Sequence, residues 1–370
     1  MSKKILFVVN VDWFFISHRL PLALEALKRG YEVHIACGIT DKKEYLESLG
    51  LKVHPLNLSR SGTGIKGEIK AFFEIYRILK EINPNIAHFV TIKPVLYGGI
   101  ASRFLSIHKK VFSISGLGFI FIKQGLKARL VRMLIKTMYK FALGGKNSHV
   151  IVQNPDDKAV VNSIVKVYIT LIRGSGVDLS QYQYIDENIN IIKVSMACRL
   201  LKDKGVFEYI DAAKILKQKL PNVEFEIYGD IDIHNPASLT NDDIKKIKEE
   251  GFVNVYGFSI DIAKVFCDSN IVVLPSYREG LPKVLIEAAA CGRAVVTTDV
   301  PGCRDAIEPN VTGLLCEVKD IESLARMIEK LIIDEKLRNR MGYEGRKLAE
   351  QEFDINKVVE KHFDIYEGRI

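Results

Sequence analysis

A chain of 370 residues with 48% apolar content is long enough for two domains with separate cores, which excludes a small disulfide-stapled scaffold. Its six cysteines (Cys37, Cys198, Cys267, Cys291, Cys303 and Cys316) include no C-x-x-C pair, and MSKKILFVVNV has no secretory core or cleavage site, so a reduced, cytosolic protein is expected. The net charge of +8 comes without any apolar run of the roughly 18 residues a membrane span needs, so no crossing of a membrane is expected.

Apolar strand-like runs alternate with amphipathic helical patterns through the first half: KILFVVNV, a helix from about Arg19 to Arg29, EVHIACG, a helix over 43–49, KVHPLNL, a helix over 66–82, and IAHFV. Such βαβα succession predicts a parallel sheet covered by helices. The pattern restarts at IIKVSMAC (191–198), continues with a helix over 206–219, VEFEIYG, a helix around 242–249, VNVYG and a helix over 260–267, and ends with IVVLPS, a helix carrying Glu287, AVVTTD and GLLCE. Two doubly wound domains facing a central cleft are therefore expected, with the linker near 174–190, where GSGVDLSQYQ supplies turn chemistry. The expected division is 1–180, 181–350, and a last helix over 351–370 that crosses back to the first domain. A single helical stretch is expected over 322–349.

In SYREGLPKVLIEAAACG (276–292), SYREG reads as a loop after a buried strand, Pro282 sits where proline starts a helix, and Gly292 sits where glycine ends one. Glu279 then lies in the loop and Glu287 inside the helix. Eight helical residues span about 12 Å along the axis, against the ~5 Å between the paired carboxylates of a retaining hydrolase. The spacing suits a ligand gripped at both ends with an anion between, because the N–H groups of Leu281–Val284 open a helix. The alternative is a solvated loop charge and a helix-face charge. Arg199 ends the strand IIKVSMAC, and Lys204 lies in the loop after it. Two cations at a sheet edge stabilise a departing diphosphate, or are simply surface charges.

The pair R199-x4-K204, the E-x7-E run from Glu279 to Glu287, Y-G-D at 228–230, V-Y-G-F at 255–258 and A-C-G-R-A-V-V-T-T-D-V-P-G at 290–302 together resemble the family-4 retaining glycosyltransferases of GT-B fold. The resemblance covers nearly the whole chain and is strongest from 195 to 315. It implies a UDP-sugar donor in the second domain, with Arg199 and Lys204 on the diphosphate, Glu279 on the donor sugar and Glu287 on the ribose. It also implies the backbone of Gly280, Leu281, Pro282 and Lys283 near the phosphates, and Gly257 and Phe258 near the base. No metal or other cofactor is implied, since cationic side chains and a helix dipole stand in for one. Asp230-Ile-Asp232 imitates the metal-binding D-x-D of the other glycosyltransferase fold, but follows a mid-sheet strand, and Asp230 is expected to line the donor cleft.

The first domain departs from the family pattern, for where relatives often carry glycines after the first strand this chain has N10-V-D-W-F-F-I-S-H-R19. Asp12 and His18 are acceptor-side candidates, the alternative being a capping aspartate and a packed aromatic cluster. Ser115-Gly116-Leu-Gly118 follows another strand, and the histidine many relatives carry near it is absent. Residues 1–185 hold 27 basic against 12 acidic residues, a net +15, while 186–370 hold 26 against 33, a net −7. FIFIKQGLKARLVRMLIKTMYK (119–140) has six basic and no acidic residues with helical apolar spacing, the composition of a helix lying in an anionic leaflet (near 123–140) or of a core helix with a basic outer face. SGLGFIF, G125-L-K-A-R and the element at 228–236 resemble bacterial enzymes that extend undecaprenyl-diphosphate-linked sugars, N-acetylgalactosaminyltransferases among them. That likeness implies a polyprenyl-diphosphate-linked saccharide as acceptor, Lys93 at the lipid diphosphate, and work at the inner face of the cytoplasmic membrane. A nucleotide-sugar epimerase of similar architecture is the alternative enzyme. A nucleic-acid binder is not expected, because no aromatic-basic RNA module or helix-turn-helix pattern accompanies the charge.

Overall fold

The computed structural model describes residues 2–58, 64–117, 126–187, 190–233 and 235–370. The chain forms two units, Met1–Ser175 with Val358–Ile370, and Gly176–Lys357. The first holds strands β1 (Lys4–Val11), β2 (Glu32–Gly38), β3 (Lys52–Pro55), β4 (Ile86–Val90), β5 (Lys109–Ile114), β6 (Ser148–Val152) and β7 (Tyr168–Leu171). They are parallel, in the order β3-β2-β1-β4-β5-β6-β7. The helices between them are α1 (Asp12–Lys28), α2 (Lys43–Ser48), α3 (Gly64–Ile82), α4 (Ile92–Ser102), α5 (Leu126–Leu143) and α6 (Pro155–Ile164). Helices on both faces explain why β1 is a continuous apolar run and not an alternating one: Ile5 to Val9 are each at most 1% exposed.

The second unit holds β8 (Lys193–Ala197), β9 (Glu224–Tyr228), β10 (Asn254–Gly257), β11 (Ile271–Leu274), β12 (Ala294–Thr298) and β13 (Gly313–Cys316), in the order β10-β9-β8-β11-β12-β13. Its helices are α7 (Val206–Lys219), α8 (Asn241–Glu250), α9 (Ile262–Asp268), α10 (Lys283–Ala290), α11 (Ile321–Ile333) and α12 (Glu335–Leu348). Helix α13 (Ile355–Tyr366) follows, and from Val358 onward its residues group with the first unit. There Tyr366 and His88 Nδ1 are 2.6 Å apart, Glu360 accepts from Arg29 at 2.5 Å, and the Arg29 guanidinium lies 4.0 Å above the Phe363 ring. The two doubly wound α/β sheets expected from the sequence are present.

Each sheet has one point where the strand order reverses, between β1 and β4 in the first unit and between β8 and β11 in the second. Connections leave these neighbours in opposite directions, which opens a crevice beyond their carboxyl ends, where doubly wound sheets take ligands. Two expectations need correction. Helix α1 starts at Asp12, not near Arg19, because the Asp12 carboxylate accepts from Trp13 N–H at 2.8 Å, and Pro21 is carried inside the helix. The stretch 322–349 is two helices, since Asp334 ends α11 and its side chain caps α12 through Leu337 N–H at 2.9 Å.

Candidate functional site

In the second unit the predicted residues gather at the reversal point. Arg199 and Lys204 follow β8, and Glu279 follows β11. Lys204 stands in a single 3-10 turn closed by Gly205 at φ +76°. A Cβ there would fall 2.2 Å from the Pro275 carbonyl oxygen, so glycine is what lets this turn approach the SYREG loop. The two segments are then tied through Asp203, which the sequence reading passed over. Its carbonyl accepts from Tyr277 N–H at 2.9 Å and Ser276 Oγ at 3.1 Å, and its carboxylate accepts from Arg278 at 3.2 Å.

This tie brings Lys204 Nζ onto Glu279 Oε1. Burial pulls the Lys204 pKa down, and the Glu279 carboxylate more than offsets it, so the ammonium sits above its ordinary value and stays charged. Arg199 pairs with Asp232 at 2.9 Å, so the second carboxylate of the D-x-D look-alike takes up a guanidinium. Asp230 is exposed, and its Oδ1 lies 3.4 Å from where a Cβ on Gly257 would be. Gly229, at φ +141°, donates from its N–H to the Gly257 carbonyl at 2.7 Å. Gly257 is at φ +79°, and Phe258 beside it is 73% exposed.

Helix α10 begins at Lys283 with Pro282 as its cap residue and no side-chain cap. Pro282 has no N–H, and Leu285 N–H returns to the Pro282 carbonyl, so the N–H groups open to a ligand are those of Leu281, Lys283 and Val284, one fewer than the run Leu281–Val284 suggests. Gly302, at φ +83°, lets the VPG turn close onto this loop, for a Cβ there would fall 2.6 Å from the carbonyls of Glu279 and Gly280. Glu287 is buried, and its Oε1 accepts from Tyr182 at 2.8 Å and Lys283 at 3.0 Å. Burial first, then the Glu287 charge, holds the Tyr182 phenol far above its ordinary pKa, so it remains a donor. No local spacing links Tyr182 to Glu287 across 105 positions, and the sequence carries no signal for it.

In the first unit the acceptor-side candidates separate. Asp12 is fully buried and accepts from Thr40 N–H at 2.7 Å, Thr40 Oγ1 at 2.8 Å and Lys42 N–H at 3.3 Å besides Trp13, the capping alternative raised by its position. His18 stacks on Phe14 at 4.1 Å, with Nδ1 3.2 Å from the Phe14 carbonyl. Lys93, in the first turn of α4, pairs with Glu68 at 2.7 Å. Gly116, at φ +105°, lines a cavity of about 260 Å³ with Asn10, Phe14, Thr91, Val95 and Ile114 at the carboxyl ends of β1, β4 and β5. Gly118 and residues 119–125 of the basic stretch lie outside the described residues. The rest of that stretch is α5, with Val131, Met133 and Leu134 more than half exposed beside exposed Arg129.

Comparison with known proteins agrees with this geometry. Residues 4–154 match the model "Glycosyl transferase 4-like", and residues 186–348 match "Glycosyl transferases group 1". The N,N'-diacetylbacillosaminyl-diphospho-undecaprenol alpha-1,3-N-acetylgalactosaminyltransferase of Campylobacter jejuni is 30% identical over 95% of this chain and 97% of its own. The UDP-Gal:alpha-D-GlcNAc-diphosphoundecaprenol alpha-1,3-galactosyltransferase of Escherichia coli is 24% identical over 81% of this chain and 79% of its own. Among solved structures, sucrose-phosphate synthase from Thermosynechococcus elongatus superposes with a TM-score of 0.81 at 19% identity, covering 99% of both chains. With both halves matched and a relative aligned over nearly its full length, the chain belongs to the group 1 glycosyltransferases, hexosyltransferases built of two Rossmann-like domains in the GT-B manner.

Proposed function

We propose that this enzyme transfers an N-acetylhexosamine, such as N-acetylgalactosamine, from UDP to a polyprenyl-diphosphate-linked saccharide during assembly of a bacterial surface polysaccharide or glycan. The activities named for the C. jejuni and E. coli relatives support the lipid-linked acceptor, and the latter's name a UDP-sugar donor. The observation that carries the reading is the Lys204–Glu279 pair beside the open amides of α10. In the proposed reaction an acceptor hydroxyl oxygen bonds to the anomeric carbon as the bond to the UDP β-phosphate oxygen breaks, on the same face, so the configuration is retained. The hydroxyl proton passes to the departing phosphate oxygen. Lys204, Arg199 and the amides of Leu281, Lys283 and Val284 meet the charge that grows on the diphosphate, and no metal is called on for this work. Glu279 orients the donor sugar through its carboxylate, and Glu287 takes the ribose hydroxyls. Gly280 and Pro282 shape the loop, while Gly257, Phe258 and Asp230 border the base.

On the acceptor side, Lys93 and Gly116 with its neighbour Gly118 are proposed at the lipid diphosphate, with His18 beside them. The cationic stripe and exposed apolar residues of α5 suit an anionic leaflet, so that the enzyme works at the inner face of the cytoplasmic membrane; among the described residues no helix is long and apolar enough to cross one. The decisive assay is UDP release from a panel of UDP-sugars with short polyprenyl-diphosphate saccharides. Glu279→Ala is expected to cut transfer by at least about 10²-fold with an unchanged circular-dichroism spectrum. Full activity in that variant removes Glu279 from the site, and no release with any pair removes the activity. Sedimentation with vesicles rich in anionic lipid, lost when Arg129, Arg132 and Lys136 become glutamate, tests the membrane surface.

A further inference from the structure

Among the described residues of the first unit five side-chain polar atoms are buried without a partner, and two of them, Asn10 Oδ1 and Thr91 Oγ1, belong to residues that line the cavity at the carboxyl ends of β1 and β4. A buried polar group left without a partner loses its hydration and gains nothing in return. Thr91 also adopts φ +75° and ψ 167°, a region all but reserved for glycine and costly for a β-branched residue. It occupies the cap position of α4, where a threonine hydroxyl ordinarily accepts a helix N–H, yet it makes no such bond. The residue stands in the cavity wall with its hydroxyl unused by the helix. The remaining wall is mostly apolar, from Phe14, Ile92, Val95, Ile114 and the Tyr139 ring, with Ser115 beside Gly116. The volume of about 260 Å³ is the space of roughly nine waters at ~30 Å³ each, which is room for one substituted sugar ring.

We infer that this cavity receives the acetamido group of the acceptor sugar, with Asn10 and Thr91 as its specificity-determining residues; the inference rests on the transferase reading above. An acetamido group offers one N–H, one carbonyl and one methyl. Asn10 Oδ1 takes the N–H, the Thr91 hydroxyl donates to the carbonyl, and the methyl meets the apolar wall. If the Asn10 amide is turned over, Nδ2 donates to the carbonyl and the Thr91 hydroxyl accepts the N–H, so the match is the same. A plain hydroxyl at that position brings no methyl to the apolar wall and offers its one proton and its lone pairs on a single oxygen in place of a separate N–H and carbonyl. The two relatives named above agree in this chemistry, since the lipid-linked sugars in their names, a diacetylbacillosamine and a GlcNAc, both carry acetamido groups.

The test uses the full chain and two short polyprenyl-diphosphate monosaccharides that differ only in an acetamido or a hydroxyl group, with binding followed by calorimetry and transfer by UDP release. The wild type is expected to favour the acetamido compound by about 10²-fold or more in both readouts, as a site built to hydrogen-bond a group rejects an analogue lacking it. Thr91→Val keeps the branch and loses the hydroxyl, and is expected to shrink that preference about tenfold, with Thr91→Ser restoring it. Should Thr91→Val fail to fold, Asn10→Leu reads the other contact. Equal binding of the two compounds, or a preference that Thr91→Val and Asn10→Leu both leave at its wild-type value, overturns the cavity assignment even where transfer proceeds. Selective binding that both variants weaken, without transfer from any UDP-sugar, supports the assignment and overturns the transferase reading instead.

Discussion

The two units share one architecture but spend their polar residues differently. In the second unit the reversal point of the sheet is bordered by charges that answer one another, Lys204 with Glu279 and Arg199 with Asp232. In the first, the cavity at the reversal point carries neutral groups, Asn10 and Thr91, the charges that follow the same strands are taken up within the unit, Asp12 by N–H and hydroxyl donors and Lys93 by Glu68, and Arg19, His34, His88, Lys110, His149 and His362 are all at most 6% exposed. A site that must hold a diphosphate needs fixed charge at its rim. A site that must tell one uncharged sugar substituent from another needs buried neutral partners, because discrimination comes from leaving the wrong substituent's partners unsatisfied.

The largest expected effect breaks the charged half. Lys204→Met removes the ammonium, leaves Glu279 without its partner and is expected to lower kcat by about 10²–10³-fold, with the acetamido-over-hydroxyl preference for acceptor unaltered. Single-turnover measurement with both acceptors checks this. A preference that changes along with the rate contradicts the separation of roles between the units.

That same contrast explains what was legible beforehand. The donor half is written in runs: R199-x4-K204 and E279-G-L-P are each short, because one βα turn presents its whole contribution in consecutive residues. Its missed members are those that act over long separations, Asp203 through its carbonyl and Tyr182 from 105 residues away. The acceptor half has no such runs. Asn10, Thr91 and Gly116 come from the ends of three different strands, and their common feature, a cavity with unpaired polar atoms, exists only after the sheet order β1-β4-β5 is known. Asp12 drew attention as a charge after the first strand, yet its oxygens are taken up by four donors within the fold. The alternation of strands and helices was readable throughout. The start of α1 was not, since Pro21 sits where a first turn is expected although the helix begins nine residues earlier.

The next effect in size separates the units by acid. Burial, then Arg19, pushes His362 down to about 3, burial, then Lys109, pushes His149 to about 4, and burial holds His88 well below the usual range. These imidazoles are neutral when folded and bind protons when unfolded, so their folded pKa values lie below the unfolded value near 6.5. The stability they contribute is complete above pH 6.5 and is lost as pH falls towards 3. At pH 4, His362 alone accounts for about 3 kcal/mol, at 1.36 kcal/mol per unit. The depressed carboxylates of the second unit, Asp178 and Asp243, lose their contribution only below about pH 3.8. Hydrogen exchange followed from pH 7 to pH 4.5, corrected for intrinsic rates, is expected to lose protection in β4, β6 and α13 and to keep it in β8, β11 and α10. Equal loss in both units contradicts the assignment of the buried histidines as the acid-sensitive element.

The smallest effect tests whether the second unit's buried carboxylate is positioned or merely present. Tyr182→Phe deletes one hydroxyl, opens no cavity, and leaves Glu287 Oε1 with Lys283 alone. Hydrogen bonds to a charged group contribute about 1.5–3 kcal/mol, but here Lys283 keeps part of the restraint, so the expected cost is a rise of about three- to tenfold in KM for the UDP-sugar with kcat within about twofold. The split follows from the proposed role: a carboxylate on the ribose contributes to donor binding in the ground state and in the transition state alike, and losing its alignment weakens both equally. Glu287→Gln provides the scale for complete loss of the charge. If Tyr182→Phe lowers kcat while KM holds, Glu287 acts on the reacting centre and not on the ribose, and the division of labour between the two glutamates has to be reversed.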